Sequence, residues 1–140
     1  MKLPRNNKEL DELFRSSTVP DVPEFSGEYF VDMLTVLPSL RKISHRKVFH
    51  VDNGGVSGCN VLFRRTRWGA FYLEKGMSSE PDPVPVVVIN YDRAKNSFLT
   101  RRIRDHVRCL EKEMLYLGRF NYVLMGAPRF SGYFSLSKGK

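Results

Sequence analysis

The 140-residue chain predicts an all-β fold, an antiparallel meander open or closed into a barrel, preceded by a short helix. Three observations predict it. Runs rich in aromatic and β-branched residues recur at short, regular spacing. Turn residues separate them, most clearly Asp52, Asn53, Gly54 and Gly55, where asparagine and glycine tolerate positive φ. No internal repeat, low-complexity tract or linker divides the chain, so the runs belong to one domain with a core of its own.

The helix begins at NNKE (6–9), where Asn6 can cap the first turn and Glu9 can reach back to complete the box. Leu10, Leu13 and Phe14 follow at helical spacing. A stripe of about two turns cannot sustain a helix alone, so it must lie against something larger. Ser16, Ser17, Pro20 and Pro23 end it. FSGEYFVDMLTV (25–36) then reads as a strand, and LPSLRKIS (37–44) interrupts as a single helical turn. KVFHV (47–51) and VSGCNVLF (56–63) form a hairpin around the DNGG turn. TRWGAFYLEK (66–75) runs out again, with Trp68, Ala70 and Tyr72 on one face and Phe71 and Leu73 on the other. After a loop at 77–83, PVVVINY (85–91) is a strand that DRAKN (92–96) turns. EMLYLGRFNYVL (113–124) and FSGYFSLS (130–137) are strands joined by a loop, MGAPR.

The stretch TRRIRDHVRCLE (100–111) reads two ways. Counted by fours, Leu99, Ile103 and Val107 make the face of a helix with a cationic back. Counted by twos, Ile103, Asp105, Val107 and Cys109 share one face of a strand, and Arg102, Arg104, His106 and Arg108 the other. Local pattern alone leaves both open.

NYD (90–92), RIRDHVR (102–108), LYLGRF (115–120) and YFSLSK (133–138) resemble, in order, the later strand motifs of a family of lipocalin-like, calycin-type β-barrel proteins named for a G-x-W-x-G motif. ELDELF (9–14) resembles the family's opening helix. FSGEYF (25–30) takes the G-x-W place with Tyr29 for the tryptophan, and HRKVF (45–49) resembles a further motif without its tryptophan or glycine. The resemblance covers about two-thirds of the chain. It implies that 100–111 is a strand and that the fold is an approximately eight-stranded calycin-like barrel over 24–138, with 1–23 as helix and lead-in. Such an interior is wide enough to be filled by side chains or to hold one small ligand.

Composition bounds the function. At 41% hydrophobic and 27% charged, the chain has an ordinary globular balance. No apolar run is long enough to span a bilayer and no secretion signal opens the chain, so no membrane partner is expected. Cys59 and Cys109 stand alone, which fits a reduced, cytoplasmic setting. The net charge of +8 gathers at Arg41, Lys42, Arg46 and Lys47, at Arg64, Arg65 and Arg67, and at Arg101, Arg102, Arg104 and Arg108. These clusters fit a nucleic-acid or acidic-membrane footprint, or a solvated exterior. The last is preferred because no nucleic-acid motif accompanies them.

Candidate site residues are polar groups on otherwise apolar strand faces, where burial without a partner is costly. Asp105 lies between Ile103 and Val107, and Arg119 follows Leu115 and Leu117 at strand spacing. Together they would make an interior pair that orients a ligand head, or one that only fixes register. Tyr29, Trp68, Tyr72 and Asn90 complete the expected ligand-binding set. His106 is expected on the surface among arginines, and nothing around it supports haem ligation. His45 and His50 lack companions at metal-ligand spacing, and no P-loop, dinucleotide fingerprint or nucleophile elbow is present. No cofactor or metal is expected. The leading expectation is non-catalytic binding of a small hydrophobic or amphipathic molecule inside the barrel, by a monomer or homodimer. The alternatives are nucleic-acid binding through Arg102, Arg104 and Arg108 on an outer face, or an isomerase or decarboxylase with Asp105 or Glu28 as base and Arg119 as anion clamp.

Overall fold

The structure is a computed structural model that describes residues 2–35 and 44–139. Eight antiparallel strands close into a barrel in simple up-and-down order: β1 (Gly27–Met33), β2 (His45–Asp52), β3 (Gly55–Leu62), β4 (Thr66–Met77), β5 (Pro85–Asn90), β6 (Ile103–Glu111), β7 (Leu115–Leu124) and β8 (Ala127–Ser137). Pairing of Phe30 through Met33 with Ser137 through Phe134 closes β1 on β8, which leaves no open edge. The stretch 100–111 is extended from Ile103 onward, after a single 3-10 turn at Thr100–Arg102. Residues 37–43 of the expected helical turn, with Arg41 and Lys42, lie outside the described residues.

Helix α1 (Asn7–Ser16) forms as its capping residues require. Asn6 Oδ1 accepts from the Glu9 backbone N–H at 2.9 Å, while Glu9 answers through the Asn6 side chain at 2.6 Å rather than its backbone. The apolar stripe lies on the outside of the barrel wall. Leu10 and Phe14, both fully buried, pack with Val86, Val88, Leu117 and Tyr133, outward-facing residues of β5, β7 and β8. That part of the wall therefore has two buried faces, and its outward residues are not exposed as a simple alternation would have them.

The interior divides into two zones. The end where β1 begins is packed solid. Phe25 plugs it from the lead-in, its ring 4.6 Å from Tyr116 and 5.3 Å from Phe49. Tyr29 sits edge-on to Phe49 and Tyr116 in the same layer. The opposite end is reached by the turns 63–65, 91–102 and 125–126.

Strand β4 does not keep the expected alternation. Ser57 and Gly58 pair with Tyr72 and Phe71, but Asn60 pairs with Trp68, so β4 carries one extra residue there. The bulge falls at Gly69, whose φ of +60 suits glycine. A Cβ there would lie 3.0 Å from both Asn60 Nδ2 and Tyr91 Cε2. The extra residue reverses the parity: Trp68 and Phe71 both belong to the interior, and Tyr72 turns outward.

Candidate ligand site

A cavity of about 290 Å³ occupies the interior at the end away from Phe25, lined by apolar residues such as Val31, Met33, Leu62, Trp68, Ile103 and Phe134. Its polar lining is His45, Lys47, Tyr91 and Asp105. β2 and β6 are opposite staves of the ring, so Lys47 and Asp105 meet across the barrel, with Nζ and Oδ2 3.6 Å apart. Their side chains are 4% and 2% exposed.

Lys47 is held from several directions. Its ammonium donates to Asn60 Oδ1 at 2.6 Å and to the Tyr91 hydroxyl at 2.5 Å. The rings of Phe71, Tyr91 and Phe134 lie 5.6, 5.2 and 5.6 Å from Nζ, within cation–π range. Asn60 Nδ2 donates to Tyr91 at 2.9 Å and to the Gly69 carbonyl at 3.1 Å, so the bulge is part of the support. His45 Nε2 lies 2.8 Å from Asn60 Oδ1, an oxygen that only accepts, so the ring donates through Nε2. The Tyr91 hydroxyl accepts from both Lys47 and Asn60 and turns its own proton toward Asp105.

Burial dominates the electrostatics. It raises the Asp105 carboxyl to about 6, against the opposing pull of Lys47 and Tyr91. It lowers Lys47, which Asp105 partly restores. It lowers His45 to about 4 with help from the Lys47 charge, so His45 is neutral at physiological pH. Two groups are left over. Among the described residues, neither Asp105 Oδ1 nor Trp68 Nε1, both buried, has a hydrogen-bond partner. A buried carboxylate oxygen without a partner carries a desolvation cost that a donor entering the cavity would relieve.

The structure brings together only part of the expected set. Asp105 and Trp68 line the cavity. Tyr29 is interior but lies in the packed layer below, its hydroxyl donating to the Glu113 carbonyl at 3.3 Å. Asn90 and Tyr72 face outward as a register pair; Asn90 donates to Glu74 at 2.7 Å, and the Arg93 guanidinium lies over the Tyr72 ring. Arg119 is a correction as well. It pairs in register with His106 while Phe120 faces Asp105, so Arg119 lies on the other side of the wall. There it donates to Asp11 of α1 at 3.1 Å and to Tyr133 at 2.7 Å. The expected Asp105–Arg119 pair is replaced by Asp105–Lys47.

His106 is not a surface histidine. It is 3% exposed on the outward side of β6, between Val88 and Arg119 in register. Burial and the Arg119 charge lower it to about 4. Arg108 is also buried, donating to the Pro85 carbonyl at 2.6 Å and to the Ser17 carbonyl and hydroxyl. The arginine stripe proposed for nucleic acid thus loses one of its three members. Glu28 is on the outside, bound to Arg46 at 2.7 Å, so the proton-transfer reading keeps Asp105 and loses both Glu28 and the Arg119 clamp.

Lys47, Tyr91 and Asn60 were missed as a constellation. A period-two count through β2 places His45 and Lys47 on the face of Phe49, which was the available signal. No count along a strand could show that β2 stands opposite β6. Fold and site define a closed β-barrel with a charged pair across an apolar internal cavity. No family model matches the chain, and no curated protein or solved structure matches it. Among the described residues no cluster of histidine, cysteine and carboxylate side chains could hold a metal ion.

Proposed function

We propose that the barrel binds one small amphipathic molecule, its apolar body in the cavity and a hydroxyl-type head on Asp105. The carrying observation is Asp105 Oδ1, without a partner among the described residues, in a cavity of about 290 Å³ with mostly apolar walls. An apolar protein cavity of roughly 150 Å³ takes up benzene, so this one accommodates a body of roughly twice that bulk. A hydroxyl can donate to Oδ1 and still accept a hydrogen bond of its own, and Trp68 Nε1 is a donor in the same lining. The resemblance of 90–138 to the G-x-W-x-G barrels supports the same reading.

The test uses 4-propylphenol, propylbenzene and phenol, with Trp68 as the reporter because it is the chain's single tryptophan. Selective excitation of the indole follows binding, and thermal unfolding follows the linked stabilisation. 4-Propylphenol is expected to saturate at one molecule per chain and to raise the melting temperature. Val31→Phe, which fills the cavity from its lining, abolishes both effects. If the native barrel gives no saturable response to any of the three, the proposal fails.

A further inference from the structure

The eight-stranded meander gathers its turns at two ends, and the two ends differ in charge. The cavity end has described turns 63–65, 91–102 and 125–126. They carry Arg64, Arg65, Arg93, Lys95, Arg101 and Arg102 against a single acid, Asp92, which Arg101 holds at 2.8 Å. The other end has the turns 53–54, 78–84 and 112–114 and the lead-in, with Asp21, Glu24, Glu80, Asp82 and Glu113 outnumbering Lys112 and Lys138.

Exposed apolar residues stand at both ends, Val19, Val51, Met77 and Met114 at the acidic one, but at the cavity end they stand among the cations. Met125 is 96% exposed, Phe98 69%, Leu99 68%, Phe63 58% and Leu124 46%. All five stand on or beside the described turns of the cavity end, so each of those turns presents an apolar tip. Two tips are held in left-handed backbone, Phe63 at φ 57 and Met125 at φ 52, a conformation that non-glycine residues rarely adopt. Water gives no reason to project these side chains, and a polar partner would not reward them.

We infer that the cavity end docks on an anionic phospholipid surface, with the apolar tips in the headgroup–acyl boundary and the arginines on the lipid phosphates. The charge complementarity selects the occupant. A nucleic acid would take the arginines and leave Leu99, Leu124 and Met125 in water. A bilayer satisfies both, since interfacial binding combines buried apolar area with attraction to anionic lipid. Docking in this orientation faces the cavity toward the membrane, so an amphipathic ligand would enter without crossing bulk water. The docking itself does not depend on ligand occupancy.

The experiment is cosedimentation of the full chain with large vesicles of phosphatidylcholine, with and without phosphatidylglycerol. The protein is expected to bind the phosphatidylglycerol vesicles, to ignore pure phosphatidylcholine, and to be released by salt. Each cation near the surface contributes roughly fivefold, so Arg64→Glu with Arg65→Glu weakens binding by roughly thirtyfold or more. Leu124→Ser with Met125→Asn weakens it at unchanged charge, asparagine being tolerated at positive φ. Val31→Phe binds vesicles as the native chain does, which separates docking from ligand uptake. Absence of binding to phosphatidylglycerol vesicles overturns the inference. So does binding that the Leu124/Met125 variant retains in full, or light scattering in which the protein alone self-associates through these turns.

Discussion

At the scale of single residues, Lys47 and Asp105 decide how the interior behaves. Each charge is buried, and burial alone would neutralise both. Their pairing, the two acceptors on Lys47 and the three rings around it retain the charges where an apolar interior would expel them. Removing one partner strands the other. Asp105→Leu alone is therefore expected to lower the unfolding free energy by about 3–5 kcal/mol in urea titrations. Lys47→Met combined with Asp105→Leu should recover most of that loss, because a packed apolar pair carries no desolvation cost. Additive losses in the double variant would contradict the pairing. Asp105 was legible in the sequence because a carboxylate between Ile103 and Val107 breaks an apolar face. Arg119 misled for an instructive reason. Its alternation with Leu115 and Leu117 is real, but Leu117 and Arg119 lie on the outward face that α1 covers, so burial there does not mean interior.

At the scale of elements, α1 and the bulge in β4 shape the barrel most. α1 is fixed by Leu10 and Phe14 below and by Asp11, which reaches Arg119 at 3.1 Å and the Tyr133 hydroxyl at 2.5 Å. Phe14 touches Tyr133 at a ring separation of 5.9 Å and is fully buried. Phe14→Ala should cost about 3–5 kcal/mol in the same titration, whereas an undocked helix would lose almost nothing. The helix was legible from NNKE and its stripe. The surface it docks on was not, because the outward residues of β5 and β7 come from segments 70 or more positions away. The bulge was not legible either: Gly69 signals one only once the register with β3 is known, and a period-two count therefore puts Tyr72 on the face of Trp68. Gly69→Ala sets a Cβ against Asn60 and Tyr91 at a positive φ, so it should loosen the support of Lys47 and depress the melting temperature by several degrees. An unchanged melting temperature would show that the bulge can relax.

At the scale of the whole molecule, buried titratable groups set the response to acid. His45 and His106 sit near 4 in the folded chain and near 6.5 when unfolded, so the unfolded state takes up their protons first as pH falls. Asp105 works the other way, near 6 folded and 3.8 unfolded. Between pH 6 and 4 two histidines act against one carboxyl. Their balance removes about 1.4 kcal/mol of stability per pH unit on acidification. Thermal unfolding across that window checks the sign, and a barrel that gains stability on acidification would contradict it. The all-β meander was legible from the rhythm of strands and turns, its closure into a barrel was implied by the resemblance, and Ile103–Glu111 is extended as the strand reading requires. The charge asymmetry between the two ends was not legible, since it appears only when alternate turns are gathered by the up-and-down topology.

The barrel encloses a hollow with an acceptor waiting in it, and that is tested by comparing two ligands that differ by one hydroxyl. Calorimetric titration of 4-propylphenol and propylbenzene into the native barrel should show the phenol binding at least roughly tenfold tighter, the increment of a hydrogen bond to a buried carboxylate. In the Lys47→Met, Asp105→Leu variant that preference should vanish while propylbenzene still binds. Equal affinities in the native chain, or a preference that survives in the variant, would contradict the assignment of Asp105 as the anchor.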